Sequence, residues 1–163
     1  MSPDPTQVET ARTNKLRTTG GSHRLTLVKA AVDEAGIDPR PPRPTLAHLP
    51  AGPGVWLAFD VDQYPSQRDR VAARAAVSDL FEPAEPIVGE FPIQLRGKLG
   101  SAVTRVPGEL LDRVGLQTGD GVATIAVAPG ALLVVAASVA GERPEEVAAA
   151  AEAARAALQS SDR

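Results

Sequence analysis

The sequence contains no cysteine, which excludes disulfides, thiolate nucleophiles and thiolate-ligated zinc. Aromatic residues make up only 3% of the chain, so the core has to be built from valine, leucine, isoleucine and alanine. No apolar run approaches the roughly 18 residues that a membrane-spanning helix needs, and the first residues lack the apolar core of a secretory signal. We therefore expect a cytoplasmic protein without a membrane segment.

The sequence does contain an internal repeat. Residues 16–37, LRTTGGSHRLTLVKAAVDEAGI, align without a gap with residues 95–116, LRGKLGSAVTRVPGELLDRVGL, at an offset of 79 residues. Six of the 22 aligned positions are identical, and further positions, such as Leu27 with Val106 and Val32 with Leu111, keep an apolar residue. Similarity at a fixed offset is typical of a repeated structural unit.

Each copy predicts the same order of elements. The alternating segments HRLTLV and AVTRV are typical of short strands. The segments that follow predict short helices that end at Gly36 and Gly115. Two aliphatic runs around a glycine turn then predict a hairpin, TLAHL with VWLAFD in the first copy and GVATIAV with ALLVVAAS in the second. In the second copy we expect a buried core of Val106, Leu110, Leu111, Ile125, Val127, Leu133 and Val135.

Five segments follow from this pattern. We predict a disordered leader at 1–11, a first module at 12–62, a helical, acidic and proline-rich connector at 63–90, a second module at 91–139 and an alanine-rich C-terminal helix at 140–163. The apolar positions expected in the connector helix are Val71, Ala75 and Leu80. Those expected in the C-terminal helix are Val147, Ala151, Ala154 and Leu158.

Groups that could perform catalysis are scarce. The two histidines, His23 and His48, fall in different elements of the first copy and have no counterparts in the second, which argues against a duplicated metal or acid–base site. The segment TTGGS at 18–22 lacks the Gly-Lys-Ser/Thr ending of a phosphate-binding loop. We therefore predict a protein that is not an enzyme and has no catalytic residues, metal site or cofactor.

Positive charge is concentrated at the start of each copy. The whole chain has a formal net charge of −3, yet residues 12–29 carry five basic side chains and no acid, and residues 93–108 carry three and no acid. Most charge runs are only solvated surfaces, but these two occupy equivalent positions. Phosphate contacts need lysine and arginine on a surface that is free of carboxylates.

A resemblance to a known family rests on the second copy. RGKLGSAVTRVPGELLDRVGLQTGDGVATIAVAPGALLVVA resembles the AbrB/MazE/SpoVT swapped-hairpin DNA-binding domain, with its basic first strand, short strand ending in proline, short helix, Gly-Leu, Gly-Asp turn and terminal hairpin. The matching residues are Arg96, Lys98, Val106, Pro107, Leu110, Leu111, Gly115, Leu116, Gly119 and Asp120. The first copy resembles a sister version that departs from the pattern at Val28, where proline is usual, and in DPRPPRP, which replaces the Gly-Asp turn.

The resemblance implies a mainly β, α+β fold in which two half-modules exchange hairpins to form a small β-barrel, with a linker helix and a C-terminal helix added. Two chains usually supply the two modules in this family, so this chain is expected as an intrachain pseudo-dimer or a homodimer.

The implied function is that of a transcriptional regulator that contacts duplex DNA through basic strands and loops of both modules. The residues that this points to are Lys15, Arg17, Arg24, Lys29, Arg96, Lys98 and Arg105. The alternative is an antitoxin-like or adaptor protein that binds a protein partner through its C-terminal helix.

Overall fold

The computed structural model describes residues 13–19, 22–38, 43–81, 87, 89–98 and 101–161; the expected leader at 1–11 lies outside them. In this part of the chain there are ten strands and five helices. The strands are β1 Thr13–Lys15, β2 Arg17–Thr19, β3 Ser22–Leu27, β4 Thr45–Gly52, β5 Val55–Asp60, β6 Phe91–Gln94, β7 Arg96–Lys98, β8 Ser101–Val106, β9 Gly121–Ala128 and β10 Ala131–Ala136. The helices are α1 Lys29–Glu34, α2 Gln67–Phe81, α3 Gly108–Val114, α4 Ala137–Glu142 and α5 Pro144–Ser161.

The strands form two antiparallel sheets. One has six strands in the order β1-β9-β10-β5-β4-β6, and the other has four in the order β2-β3-β8-β7. Both hairpins form where the sequence predicts them, and the α+β class is confirmed. Within the described residues neither sheet closes on itself.

The two short helices end as their glycines predict. Gly36 and Gly115 adopt φ values of +66° and +74°, a left-handed conformation that glycine reaches without steric cost. Pro107 lies just before the first residue of α3, at the N-cap. The local signals for these helices therefore act as expected.

The strand order of each sheet stays the same when every strand is replaced by its counterpart in the other repeat. In the four-stranded sheet Leu25 lies directly opposite Thr104, its equivalent 79 residues later. In the six-stranded sheet Leu57 lies opposite Leu133; the offset there is 76 residues because the second copy has a shorter connection between helix and hairpin. An antiparallel pair formed by equivalent residues marks a twofold axis, so one pseudo-twofold axis relates the two halves of this single chain.

The repeats also exchange strands. The first strand of the first copy, β1, pairs with β9 in the hairpin of the second copy, so that Thr13 lies opposite Ala123. The equivalent strand of the second copy, β6, pairs with β4 in the hairpin of the first copy, so that Thr45 lies opposite Gln94. Each hairpin is therefore extended by a strand from the other copy, and both exchanges occur within one chain.

Both faces of the six-stranded sheet are covered. On one face α2 and α5 pack over a core that includes Leu57 and Leu133. On the other face Trp56 and Leu132 belong to a second core, shared with the four-stranded sheet and the helices α1 and α3. The central strands β5 and β10 are buried at every position, which explains why their sequences, apart from Asp60 at the end of β5, are continuous apolar runs without alternation.

The buried faces of the helices match the predictions in part. The residues predicted for the C-terminal helix are all buried, and so are those predicted for the second-copy core, except Ile125, which is partly buried. Two of the three positions predicted for α2 are wrong: Val71 is 42% exposed and Ala75 is exposed, whereas Leu80 is partly buried and packs against the core. Its buried residues are Arg70, Ala73, Val77 and Phe81.

An ion pair lies at the buried face of α2. The guanidinium of Arg70 donates to the backbone oxygen of Tyr64, and its Nη2 lies 2.7 Å from Glu90 Oε1. Burial of an arginine requires such partners. Because α2 packs into the core next to this pair, the segment predicted as a connector is an integral layer of the fold.

Candidate nucleic-acid interface

The four-stranded sheet has one buried and one exposed face. Leu25 and Leu27 on β3, and Thr104 and Val106 on β8, are buried. Arg24 and Arg105, which alternate with them along the two strands, are exposed. Since neighbouring residues of a strand point to opposite faces, the outer face of this sheet presents arginines while its inner face contributes to the core.

The strand register brings three arginines together. Arg24 lies directly opposite Arg105 across β3 and β8, and Arg17 lies opposite Arg24 across β2 and β3. Neighbouring strands are about 4.8 Å apart, so the three backbone positions span about 10 Å. The side chain of Arg17 lies outside the described part of the structure. Residues from both repeats thus contribute to one basic row, Arg17–Arg24–Arg105.

A fourth arginine lies on the same sheet. Arg96 is exposed and lies opposite Val103, which in turn lies opposite Thr26. This second row is two residues along the strands from the first.

The exposed arginines of this sheet have no acidic partner among the described residues. Arg24, Arg96 and Arg105 form no ion pair with any described residue, whereas Arg113 lies 3.0 Å from Glu109 and Arg155 lies 2.6 Å from Glu152. Like charges directly opposite each other on a sheet are destabilising. The facing pair of Arg24 and Arg105 is therefore unfavourable in the isolated protein and becomes favourable when an anion neutralises it.

The three predicted lysines are more dispersed. Lys29 is exposed at the first position of α1, directly after the strand that carries Arg24. Lys98 lies opposite Ser101 where β7 turns into β8. Lys15 pairs with Gly121 in the six-stranded sheet, so it does not share a sheet with the arginines. The side chains of Lys15 and Lys98 lie outside the described part of the structure.

The two histidines have different environments. His23 is half-buried at one end of β3, and its Nδ1 lies 3.3 Å from Thr118 Oγ1 in the loop before β9. His48 is fully buried, and its Nε2 lies 2.9 Å from Thr104 Oγ1. Burial lowers the pKa of His48 from 6.5 to about 4, so its imidazole is neutral at pH 7.

The contact between His48 and Thr104 joins the two sheets directly beneath the basic row, because Thr104 precedes Arg105 on β8. Sequence reasoning did not identify this contact. His48 belongs to the first copy and Thr104 to the second, and nothing in the repeat alignment places them together.

Other kinds of site find no support in the described ranges. No group of three or more histidine, aspartate or glutamate side chains in this part of the chain is placed to hold a metal ion. No described helix is both long enough and apolar enough to cross a membrane. The exposed arginines remain the feature with an evident chemistry, the binding of an anion.

Comparison of the chain with protein-family models, with curated proteins and with solved structures finds no match. A functional assignment therefore has to be argued from the register, exposure and charge of the residues described above.

Proposed function

We propose that the protein is a DNA-binding transcriptional regulator of the AbrB/SpoVT type, which contacts duplex DNA through the outer face of its four-stranded sheet. The observation that carries this proposal is the exposed pair of Arg24 and Arg105, which lie opposite each other without an acidic partner in the described residues. A row of phosphates supplies the negative charge that such a pair lacks.

The exchange of strands supports the same assignment. In the swapped-hairpin family two modules share hairpins, and here β1 and β6 each pair with the hairpin of the other copy. Under this proposal the chain is an intrachain pseudo-dimer, and the two sheets with their shared core correspond to the family's barrel. The basic strands of both copies then lie side by side, as a single DNA-binding surface requires.

The distribution of charge favours one orientation of the protein toward a polyanion. The strands of the four-stranded sheet contain arginine and lysine but no acid, whereas α5 in the helical layer carries three glutamates against one arginine. This layer covers the face of the six-stranded sheet that is opposite the arginine-bearing sheet. A chain with a formal net charge of −3 can therefore still approach DNA with its basic side.

A salt titration on duplex DNA tests the proposal. We expect the affinity of the native chain to fall steeply between about 50 and 200 mM salt, because each neutralised phosphate adds about 0.9 to the slope of log affinity against log salt. The double variant Arg24→Ala/Arg105→Ala should bind more weakly, with a slope smaller by up to about 2. The matched control is Arg68→Ala/Arg74→Ala, which removes two charges from α2 and should leave the slope unchanged.

A stability measurement separates loss of binding from loss of fold. Removing the facing like charges of Arg24 and Arg105 should leave the free energy of unfolding unchanged or raise it by about 0.2 to 1 kcal/mol. No binding of the native chain to duplex DNA at about 50 mM salt would refute the regulator assignment.

The alternative, an antitoxin-like or adaptor protein that uses its C-terminal helix, has weaker support. Val147, Ala151, Ala154 and Leu158 on α5 are buried against the rest of the chain. A partner could not use these apolar residues without displacing the helix from its own core.

A further inference from the structure

The charge on the four-stranded sheet does not follow the pseudo-twofold symmetry of its backbone. The axis lies at the facing pair of Leu25 and Thr104. Arg24 and Arg105 lie on one side of this pair, and their equivalents in the other repeat, Val103 and Thr26, lie on the other side.

The two rows of sheet positions that flank this pair therefore differ by two arginines over a short distance. Successive outward-facing residues of a strand are about 7 Å apart, so the row of Arg96, Val103 and Thr26, with one arginine, lies that far from the row of Arg17, Arg24 and Arg105, with three. The remaining basic residues are also distributed unequally: Arg17 and Arg96 are equivalent to each other, whereas the equivalents of Lys15, Lys29 and Lys98 are Gln94, Gly108 and Thr19. Lys29 and Lys98 lie beyond Thr26 and Val103 on their side of the axis, so the two sides differ in the kind and the position of their basic groups.

The asymmetry extends into the core beneath the sheet. On one side His48 contacts Thr104 across the two sheets. The equivalent positions in the other half hold Thr124 and Leu25, which cannot form the same contact because leucine has no hydrogen-bonding group. The two halves are thus alike in backbone and different in polar chemistry at the axis.

We propose that the protein binds duplex DNA in one orientation and prefers a site that is not palindromic. The inference rests on the proposed function. Palindromic operators mirror a twofold symmetry of the protein that reads them, because two identical protein halves favour two identical half-sites. Here the side of the axis with Arg24 and Arg105 and the side with Thr26 and Val103 favour different half-sites. The best duplex therefore has two unequal half-sites.

Selection from a random duplex pool with the full chain tests this inference. The expected result is an enriched motif without inverted-repeat symmetry. The double variant Thr26→Arg/Val103→Arg supplies the two charges that are missing from the symmetric positions, so it should raise the salt slope by up to about 2 and shift the enriched motif toward a palindrome.

Orientation can be measured directly in a chain whose DNA-facing residues are all native. The protein has no cysteine, so Asp33→Cys and Asp112→Cys each introduce a unique attachment point for an iron chelate that cleaves nearby DNA. Both aspartates are exposed, and they occupy equivalent positions on α1 and α3. On the selected duplex each label should cleave on one side of the site only, and the two labels on opposite sides.

The outcomes distinguish this inference from the proposed function. A palindromic motif, salt-sensitive binding that enriches no motif, or cleavage by each label on both sides would overturn the single orientation and leave DNA binding in place. Absence of salt-sensitive duplex binding would overturn both.

Discussion

Acidification should destabilise the protein through His48. Its imidazole is fully buried, and burial lowers its pKa from 6.5 to about 4. Between these values the unfolded chain binds a proton at this residue and the folded chain does not, so the free energy of unfolding falls as the pH drops through 6.5 and stops falling below about 4. At 1.36 kcal/mol per pKa unit, the loss between pH 7 and pH 5 is roughly 2 kcal/mol.

The assay is denaturant unfolding at pH 7, 6 and 5 with a variant that removes the titrating group. His48→Thr/Thr104→Leu copies the arrangement of the other half, where the equivalent residues are Thr124 and Leu25. Both proteins keep the same carboxylates, so the difference between their pH profiles isolates His48.

We expect the native chain to lose roughly 2 kcal/mol more of its free energy of unfolding than the variant between pH 7 and pH 5. Parallel profiles for the native chain and the double variant would show that His48 accepts its proton without disturbing the fold, and the reasoning from burial would be wrong.

Two further predictions concern packing and assembly. Leu111 is only 3% exposed in the core beneath the four-stranded sheet, so Leu111→Ala should lower the free energy of unfolding by about 2 to 5 kcal/mol. Asp112→Ala, at the exposed neighbouring position, should change it by less than about 0.5 kcal/mol. Equal effects of the two substitutions would show that the helix register is wrong. A fragment of residues 90–163 lacks β4 and β5, the partners of β6 and β10, so it should self-associate or unfold. Size-exclusion chromatography measures the association and circular dichroism the folding. A folded monomer would contradict the shared core.

The parts of the fold that depend on local signals could be predicted from the sequence. Gly36 and Gly115 end their helices because both need a positive φ, and the hairpins follow from aliphatic runs around glycine turns. The buried face of α2 was not predictable in the same way. Alanines occur all around that helix, so its apolar stripe is weak, and its buried face includes a charged residue, Arg70, which pairs with the distant Glu90.

The candidate site needed information that no local pattern contains. The basic segments were recognisable from their lack of acids, but the contact between Arg24 and Arg105 depends on the register between strands that belong to different repeats. The alignment of the repeats states which residues are equivalent and leaves open whether β3 pairs with β8 in the same chain. The contact between His48 and Thr104 has the same origin.

The facing arginines exist only because one chain holds two unlike copies. If the first copy paired with itself about Leu25, Arg24 would face Thr26; if the second paired with itself about Thr104, Val103 would face Arg105. Either symmetric arrangement would place one arginine on each side of the axis. Pairing the first copy with the second places both on the same side, with Thr26 and Val103 together on the other. Local repulsion between the arginines and an unequal arrangement of charge on this sheet are therefore two consequences of the same pairing. Arg24→Val/Arg105→Thr, which leaves these two positions as neutral as Thr26 and Val103, should at once relieve the destabilisation and weaken the proposed orientation preference on DNA.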